Sequence, residues 1–278
     1  RDTLLANQFD LKRRNPKHNS AAIFGHFRAA ERLPGREEGH ISIFWFPHGW
    51  FWFIPLADGT TSIGAVCWPY YLKSRNKPLG EFFADTLAMA PALQARLRSA
   101  ELVDERVYAT GNFSYSAAGS SAERYLMVGD AFAFVDPVFS SGVYLAMASA
   151  YAALPVVQRT LDAGPAAAQA ARTRFEAHMR KGPREFTWFI TRMTNPAMRR
   201  LFMHPGNPLR VQEAVLGLLA GDIFGQTPLW RSLRLFKALY YLVSVLMLPR
   251  AIRSWWQHRS DIRDVGATKG ENIMVPTR

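Results

Sequence analysis

Two polar turns on either side of a short segment near the middle of the chain carry residue types that suit ligand binding. The apolar run Arg124–Val128 is ended by Gly129 and is predicted to be a buried strand that enters a tight turn. Asp130 then stands at the carboxyl end of that strand, where a carboxylate can accept hydrogen bonds from ligand hydroxyl groups. Further on, Ser140-Ser141-Gly142 precedes an apolar segment, 143–154, with helical character. Free backbone N–H groups at a helix start favour negative charge, although the whole pattern also fits a plain capped strand, turn and helix.

A second candidate is the aromatic segment Trp50-Phe51-Trp52-Phe53-Ile54-Pro55. Side chains alternate between the two faces of a strand, so Trp50 and Trp52 are predicted on one face and Phe51 and Phe53 on the other. Judged by spacing alone, a stripe of aromatic residues on a strand favours core packing over a binding site.

The two segments resemble, in their order along the chain, two motifs of the flavin-dependent halogenases. Phe134-x-x-Pro137-x-x-Ser140-x-Gly142 matches the pattern F-x-x-P-x-x-S-x-G, and Trp50-x-Trp52-x-Ile54-Pro55 matches W-x-W-x-I-P. The turn at Gly129-Asp130 is also similar to the second flavin-binding motif of the wider group of FAD-dependent aromatic monooxygenases. The similarity extends from Arg1 to about Asp264.

The resemblance implies roles for these residues. The ribityl chain of FAD and the pyrimidine edge of its flavin ring would be held by a turn and a helix N-terminus, formed by Gly129, Asp130, Pro137, Ser140, Ser141, Gly142 and Val143. A halide ion would rest near the backbone N–H groups of Ser141 and Gly142. The passage between flavin and substrate would be lined by residues whose bulk keeps the substrate away from the flavin, namely Trp50, Trp52, Ile54 and Pro55.

Phe139 is the one departure from the tryptophan-specific pattern. Tryptophan halogenases carry a glutamate at this position, which assists chlorination of an unactivated indole carbon, and a phenyl ring offers neither a proton acceptor nor a negative charge. The resemblance therefore places Phe139 among the catalytic positions and predicts an electron-rich substrate, a phenol or a pyrrole.

A halogenating, FAD-dependent oxidoreductase is the function that the resemblance implies. Its partners would be a small aromatic substrate, chloride or bromide, and a separate flavin reductase, with an acyl carrier protein where the substrate is tethered. An FAD-dependent monooxygenase or reductase of the same fold remains open, as does a non-catalytic, membrane-associated remnant.

Several expected signatures are missing from the sequence. It has no G-x-G-x-x-G, P-loop, G-x-S-x-G or H-E-x-x-H, so the sequence predicts no complete dinucleotide-binding unit, no serine hydrolase and no metal site. In the resembled family the glycine-rich unit and a catalytic lysine come before a segment like this one. We therefore expect the chain to be the carboxyl-terminal part of a longer enzyme, and to bind FAD poorly alone.

The predicted fold class is α/β in the broad α+β sense, a partial Rossmann-like FAD-binding domain with an antiparallel sheet. Residues 1–117 form a substrate-side β layer with a helical segment at 79–99, and residues 118–165 the returning strand, turn and helix. Residues 166–265 are helical and 266–278 are a loose tail. The predicted strands are Ala21–Ala30, Ile41–Phe46, Trp50–Leu56, Thr60–Val66, Leu102–Tyr108 and Asn112–Ala117, and Asn7–Pro16 is predicted as a loop.

The amino-acid composition also indicates the cellular compartment of the protein and the charge of its surface. Cys67, the single cysteine, excludes a disulfide framework and is expected to be buried, in a cytoplasmic protein.

Of the net charge of +12, nearly all lies in residues 172–263, which carry sixteen Lys and Arg against five acidic residues. This region would attract an acyl carrier protein or an anionic membrane surface, which makes a membrane-peripheral location the alternative. The apolar segment Leu235–Leu248 fits core packing, membrane contact or contact with a protein partner, and no nucleic-acid motif accompanies the charge.

Overall fold

A computed structural model describes residues 3–15, 20–111, 114–193, 195–203, 210–224, 230–249, 252 and 256. By its contacts the chain forms two compact units, the first made of Arg1–His18 with Phe113–Ser254 and the second of Asn19–Asn112 with Trp255–Arg278. Helices and antiparallel sheets are combined, as the sequence predicted. The proposed boundaries at residues 117, 165 and 265 stay a prediction, and the predicted tail, 266–278, lies outside the described residues.

The helices and strands follow one another in the order α1 (Leu4–Gln8), β1 (Lys12–Arg14), β2 (Ala21–Arg28), β3 (Ser42–Phe46), β4 (Gly49–Pro55), β5 (Thr61–Cys67), α2 (Pro69–Lys73), α3 (Leu79–Ala88), α4 (Pro91–Ala95), β6 (Glu101–Leu102), β7 (Tyr108–Gly111), β8 (Tyr115–Ala117), β9 (Ser121–Ala122), β10 (Tyr125–Leu126), β11 (Ala133–Phe134), α5 (Gly142–Ala167), α6 (Gln169–Ile190), α7 (Pro196–Met203), α8 (Val211–Leu219) and α9 (Trp230–Leu246). Short 3-10 turns lie at Gly35–Glu37, Val103–Glu105, Gly129–Ala131 and Pro137–Phe139.

The second unit is built on a six-stranded antiparallel sheet in the order β3-β4-β5-β2-β6, with β7 also paired to β2. Turn chemistry fixes the β4–β5 hairpin, where the Asp58 carboxylate accepts hydrogen bonds from the Thr60 N–H at 2.9 Å and the Thr60 hydroxyl at 2.6 Å. One face of the sheet packs against the helices α2 to α4 through the core of the unit, which includes Ile23, Phe51, Phe53, Ile63, Phe83 and Leu93. Within the predicted helical segment 79–99, α3 ends at Ala88 and α4 begins at Pro91. Cys67 is buried as expected, and burial raises the pKa of its thiol to about 12.

The predicted strand Leu102–Tyr108 is wrong in its middle. Asp104 and Glu105 adopt left-handed φ values of 53° and 52°, which interrupt the extended chain with a 3-10 turn. Pairing with β2 starts again at Tyr108, the first residue of β7, so the single predicted strand is replaced by β6 and β7. Of the predicted strand 112–117, residues 112 and 113 lie outside the described residues, Ser114 is not in a strand, and β8 begins at Tyr115.

The first unit differs more from the prediction. The predicted loop Asn7–Pro16 includes the last two residues of α1 and the whole of β1. Lys12–Arg14 forms a strand because it pairs in antiparallel register with β8. The predicted buried strand at 124–128 is reduced to β10, whose pairing with β9 covers only Tyr125 and Leu126. Both residues are half-buried and Met127 is buried, while Arg124 is exposed.

Helices make up most of the rest of this unit. α5 continues to Ala167 through a kink at Gly164. α6 is one continuous helix with Pro183 inside it. α9 packs one face inward through Leu233, Phe236 and Tyr240, and exposes the apolar residues Tyr241, Leu242, Val245 and Leu246. Within the described ranges, no helix has both the length and the apolarity to cross a membrane.

Candidate functional site

Gly129 lies at a turn that only glycine can occupy without displacement of its surroundings. Its φ of +51° is left-handed, and a Cβ built there would lie 2.8 Å from the Cβ of Ala146 and 3.1 Å from its Cα. The Gly129 N–H donates to the Ser149 hydroxyl at 2.9 Å, and that hydroxyl donates to the Ala146 carbonyl oxygen at 2.8 Å. The turn is therefore held directly against the second turn of α5.

Asp130 projects from this turn with an exposed side chain. Its backbone carbonyl oxygen accepts a hydrogen bond from the Tyr115 hydroxyl at 2.6 Å, which anchors the main chain. The carboxylate of Asp130 takes no part in this hydrogen bond. Partial loss of solvent raises the pKa of the Asp130 carboxyl above its ordinary value, and burial raises the pKa of Tyr115 as well. A fixed main chain with a partly desolvated carboxylate is an arrangement that suits hydrogen bonding to a polyol.

Asp136 organises the second turn. Its buried side chain accepts a hydrogen bond from the Val138 N–H at 3.0 Å and so caps the 3-10 turn Pro137–Phe139. Ser140 follows in a left-handed conformation with φ 51° and ψ 27°, which is uncommon for a residue with a side chain. The Asp136-Pro137 dipeptide, a capping residue followed by proline in the first helical position, was the sequence signal for this cap.

The N-terminus of α5 comes directly after Ser140. Ser141 is buried at the N-cap position and makes no capping hydrogen bond through its side chain. The first backbone hydrogen bond of the helix joins the Leu145 N–H to the Ser141 carbonyl oxygen at 3.0 Å. The N–H groups of Gly142, Val143 and Tyr144 therefore precede the hydrogen-bond ladder of a long helix, where the helix dipole favours an anion.

Phe139 is half-buried and is fixed by the helical region rather than by the turn alone. Its ring meets Phe189 of α6 edge to face, with centroids 6.5 Å apart and an interplanar angle of 77°. Phe189 is fully buried and stacks on Phe236 of α9 at 5.6 Å. The identity of residue 139 is thus coupled to packing between α6 and α9.

The W-x-W-x-I-P segment forms β4 in the second unit. Phe51 and Phe53 are fully buried in the core, whereas Trp50 and Trp52 project from the opposite face of the sheet, with ring centroids 6.3 Å apart. Trp50 is buried and Trp52, Ile54 and Pro55 are half-buried. The predicted separation of the two faces is confirmed, and the phenylalanines are the core residues of the segment.

The structure therefore brings Gly129, Asp130, Pro137 and the start of α5 together in the first unit, while Trp50, Trp52, Ile54 and Pro55 form one strand of the second. Sequence reasoning missed Ser149, whose hydroxyl joins the Gly129 turn to α5, because a serine within a helix carries no positional signal. Across the described residues, no group of three or more His, Cys, Asp or Glu side chains is placed to hold a metal ion.

Comparison with known proteins adds family relationships to this geometry. The sequence profile of the family described as tryptophan halogenase matches residues 42–198. The flavin-dependent halogenase armH2 of Armillaria mellea is 33% identical over 167 residues, which are 52% of this chain and 32% of that protein. A 1H-pyrrole-2-carbonyl-[peptidyl-carrier protein] chlorinase of Pseudomonas fluorescens is 27% identical over 81% of this chain and 50% of its own length.

Solved structures agree with this relationship. The myxobacterial chondrochloren halogenase CndH, an FAD-dependent halogenase, superposes with a TM-score of 0.62 and 27% identity, over 84% of this chain and 56% of that one. A flavoprotein/dehydrogenase of Cytophaga hutchinsonii has a TM-score of 0.70 at 22% identity, which reports a shared fold. The chain spans between about a third and about 60% of the lengths of these proteins.

Proposed function

Because the chain belongs to the tryptophan halogenase family, we propose that it is part of an FAD-dependent oxidoreductase that halogenates an electron-rich aromatic compound. The observation that carries the proposal is the folded form of the F-x-x-P-x-x-S-x-G segment. Its residues form a capped turn that leads directly into the N-terminus of α5, whose first backbone N–H groups have no acceptor within the helix. An anion and the electron-rich edge of a flavin ring both suit such an end.

The residues of the first unit fit the flavin half of FAD. Gly129 removes the Cβ that would press on Ala146, and Asp130 offers a carboxylate to ribityl hydroxyl groups from a fixed main chain. No glycine-rich turn for the pyrophosphate is present in the sequence, so weak FAD binding by these 278 residues alone remains our prediction. When bound, the reduced flavin supplies the oxidising chemistry with oxygen that turns halide into hypohalous acid.

The protein's own contributions are binding, orientation and exclusion. The N–H groups of Ser141 and Gly142 hold chloride or bromide at the helix N-terminus, where Ser140 and Val143 complete the local surface. Trp50, Trp52, Ile54 and Pro55 serve as the screen that keeps the aromatic substrate from reacting directly at the flavin. The enzyme's work is then to place the oxidant and the substrate at separate positions.

Phe139 supports a phenol or a pyrrole as the substrate class. The ring is fixed against Phe189 and cannot accept a proton or stabilise a cation by charge, so the substrate ring must itself be activated. The chlorinase of Pseudomonas fluorescens, by its name, acts on a pyrrole attached to a carrier protein, and this favours a tethered pyrrole for the present chain.

Basic charge in the helical region supports an acidic partner. The described helices α6 to α9 carry most of the sixteen basic residues of 172–263, and an acyl carrier protein is the acidic partner that a tethered substrate requires. The exposed apolar face of α9 keeps an anionic membrane surface as the alternative partner. Binding to purified carrier protein and to anionic vesicles, each at low and high salt, separates the two, and no salt-sensitive binding to either would remove this part of the proposal.

The deciding assay supplies the full-length protein with FAD, a flavin reductase, and chloride or bromide. It then offers a panel of free phenols, carrier-bound and free pyrroles, and tryptophan. We expect halogenated phenol or pyrrole. Halogenated tryptophan with inert phenols and pyrroles would contradict the substrate class, and hydroxylated products without halogen would point to a monooxygenase of the same fold.

A further inference from the structure

A row of in-register residues crosses the face of the sheet that lies opposite the core of the second unit. Cross-strand pairing aligns Ile43, Trp52, Gly64, Phe24 and Tyr108 on five successive strands. The Phe24 ring lies 5.8 Å from Trp52 on one side and stacks on Tyr108 at 5.4 Å on the other. Ile43 and Tyr108 are exposed and Phe24 is half-buried, so the row forms an accessible aromatic surface.

Gly64 lies in the middle of this row, where the absence of a side chain leaves room for the neighbouring Trp52 ring. A Cβ built on Gly64 would lie 2.3 Å from Cζ2 and 2.5 Å from Cη2 of Trp52, and 2.5 Å from the Cβ of Phe24. Its backbone has no left-handed φ that would call for glycine. The six-membered ring of the Trp52 indole therefore lies directly over the Gly64 backbone, and any side chain at this position would displace it.

Ser62 fixes the other part of the same indole. The Trp52 Nε1–H donates a hydrogen bond to the Ser62 hydroxyl at 3.1 Å. Ser62 lies two residues before Gly64 on β5 and therefore on the same face of the sheet. Phe24 limits movement of the ring on the side of β2, and Trp50 lies next to it along β4. Trp52 is thus held by one hydrogen bond, one backbone surface and two neighbouring rings.

We propose that Gly64 and Ser62 are positioning residues that hold the indole of Trp52, one of the four residues given the screening role above, in a single orientation on this face of the sheet. The inference rests on the proposed function and deepens it, because it explains how this chain fixes the screen. Alternative side-chain rotations of a tryptophan would open a gap of ring size, and Gly64 and Ser62 select one of them. Phe24, whose ring is tilted by 43° against Trp52, and Tyr108, which stacks on Phe24, extend the aromatic surface against which a substrate ring can pack.

The orientation of Trp52 can be measured without any activity. The chain contains eight tryptophans, and fluorine NMR of 5-fluorotryptophan-labelled protein, assigned with Trp52→Phe, follows each one. We expect Gly64→Ala and Ser62→Ala to shift or split the Trp52 signal, while Ser62→Thr, which keeps a hydroxyl, restores it. The matched control is Gly111→Ala in the same sheet, where a Cβ would meet only the Cβ of Ala21 at 3.7 Å. An unchanged Trp52 signal in both Gly64→Ala and Ser62→Ala would overturn the inference.

A second measurement on the full-length protein links orientation to the reaction. Halogenated product formed per reduced flavin consumed should fall roughly 10- to 100-fold in Gly64→Ala, as expected for a displaced group at a reacting centre. Oxygen also consumes free reduced flavin without the protein, so folding is checked separately: the circular dichroism spectrum of Gly64→Ala should match that of the wild type, which excludes an unfolded sheet as the cause of the fall. Wild-type coupling in Gly64→Ala would refute the inference. If the wild-type protein makes no halogenated product, the proposed function fails, and the fluorine signal of Trp52 alone then decides whether Gly64 and Ser62 position it.

Discussion

Replacement of Gly129 by alanine is the most specific perturbation of the flavin-side turn. A left-handed residue with a side chain costs about 1–2 kcal/mol, and forcing a methyl group into a filled space costs about 1–3 kcal/mol. Both apply here, because φ is +51° and the new Cβ would lie 2.8 Å from the Cβ of Ala146. The free energy of unfolding should therefore fall by roughly 2–5 kcal/mol. The Gly129–Ser149 hydrogen bond should be lost as the turn moves away from α5.

Gly35→Ala is the matched control for the backbone contribution. Gly35 also begins a 3-10 turn, its φ is +61°, and a Cβ there would meet nothing within 4 Å, so only the about 1–2 kcal/mol conformational cost applies. Urea unfolding followed by circular dichroism compares the two variants. A double-mutant cycle with Ala146→Gly isolates the contact, and we expect a favourable coupling of about 1 kcal/mol or more. Equal destabilisation by Gly129→Ala and Gly35→Ala, together with zero coupling, would refute the account of this turn.

Three further predictions concern single groups. Asp130→Ala in the full-length protein should weaken FAD binding about tenfold or more, and unchanged flavin retention in a titration would remove Asp130 from the site. Cys67, whose pKa is raised to about 12 by burial, should not react with a thiol reagent at pH 8 until urea unfolds the chain, and rapid labelling of the folded protein would contradict this. Burial and the nearby Lys181 charge lower the pKa of His178, so the unfolded chain binds the proton more readily and stability should be lost as pH falls below about 6.5. Between pH 7.5 and pH 5.5 the free energy of unfolding should fall less in His178→Phe, which keeps the stacking on Phe224, than in the wild type. An equal fall in both proteins would exclude His178 as the cause.

The sheet of the second unit was predictable because its signals are local. Alternation along β4 separates Trp50 and Trp52 from Phe51 and Phe53, and glycine-containing turns mark the hairpins on either side. Pro91 likewise ends one helix and begins the next. These features depend on side-chain period and turn chemistry, which the sequence states directly.

The first unit was less predictable because its structure depends on distant partners. Lys12–Arg14 is polar and basic and becomes a strand only because β8 presents an unpaired edge to it. Proline usually breaks a helix interior, yet Pro183 lies inside α6, where packing of the surrounding turns outweighs the missing hydrogen bond. The role of Ser149 also required the structure, since its partner Gly129 is twenty residues away in the sequence.

The proposed function depends above all on halide binding at the N-terminus of α5, beside the flavin. Anomalous scattering at the bromine edge, from crystals of the full-length protein with FAD and bromide, tests it most directly. We expect a bromide within hydrogen-bonding distance of the Ser141 or Gly142 backbone N–H, beside the bound flavin. A bromide bound elsewhere, or no bromide at this helix end while the flavin is in place, would contradict it.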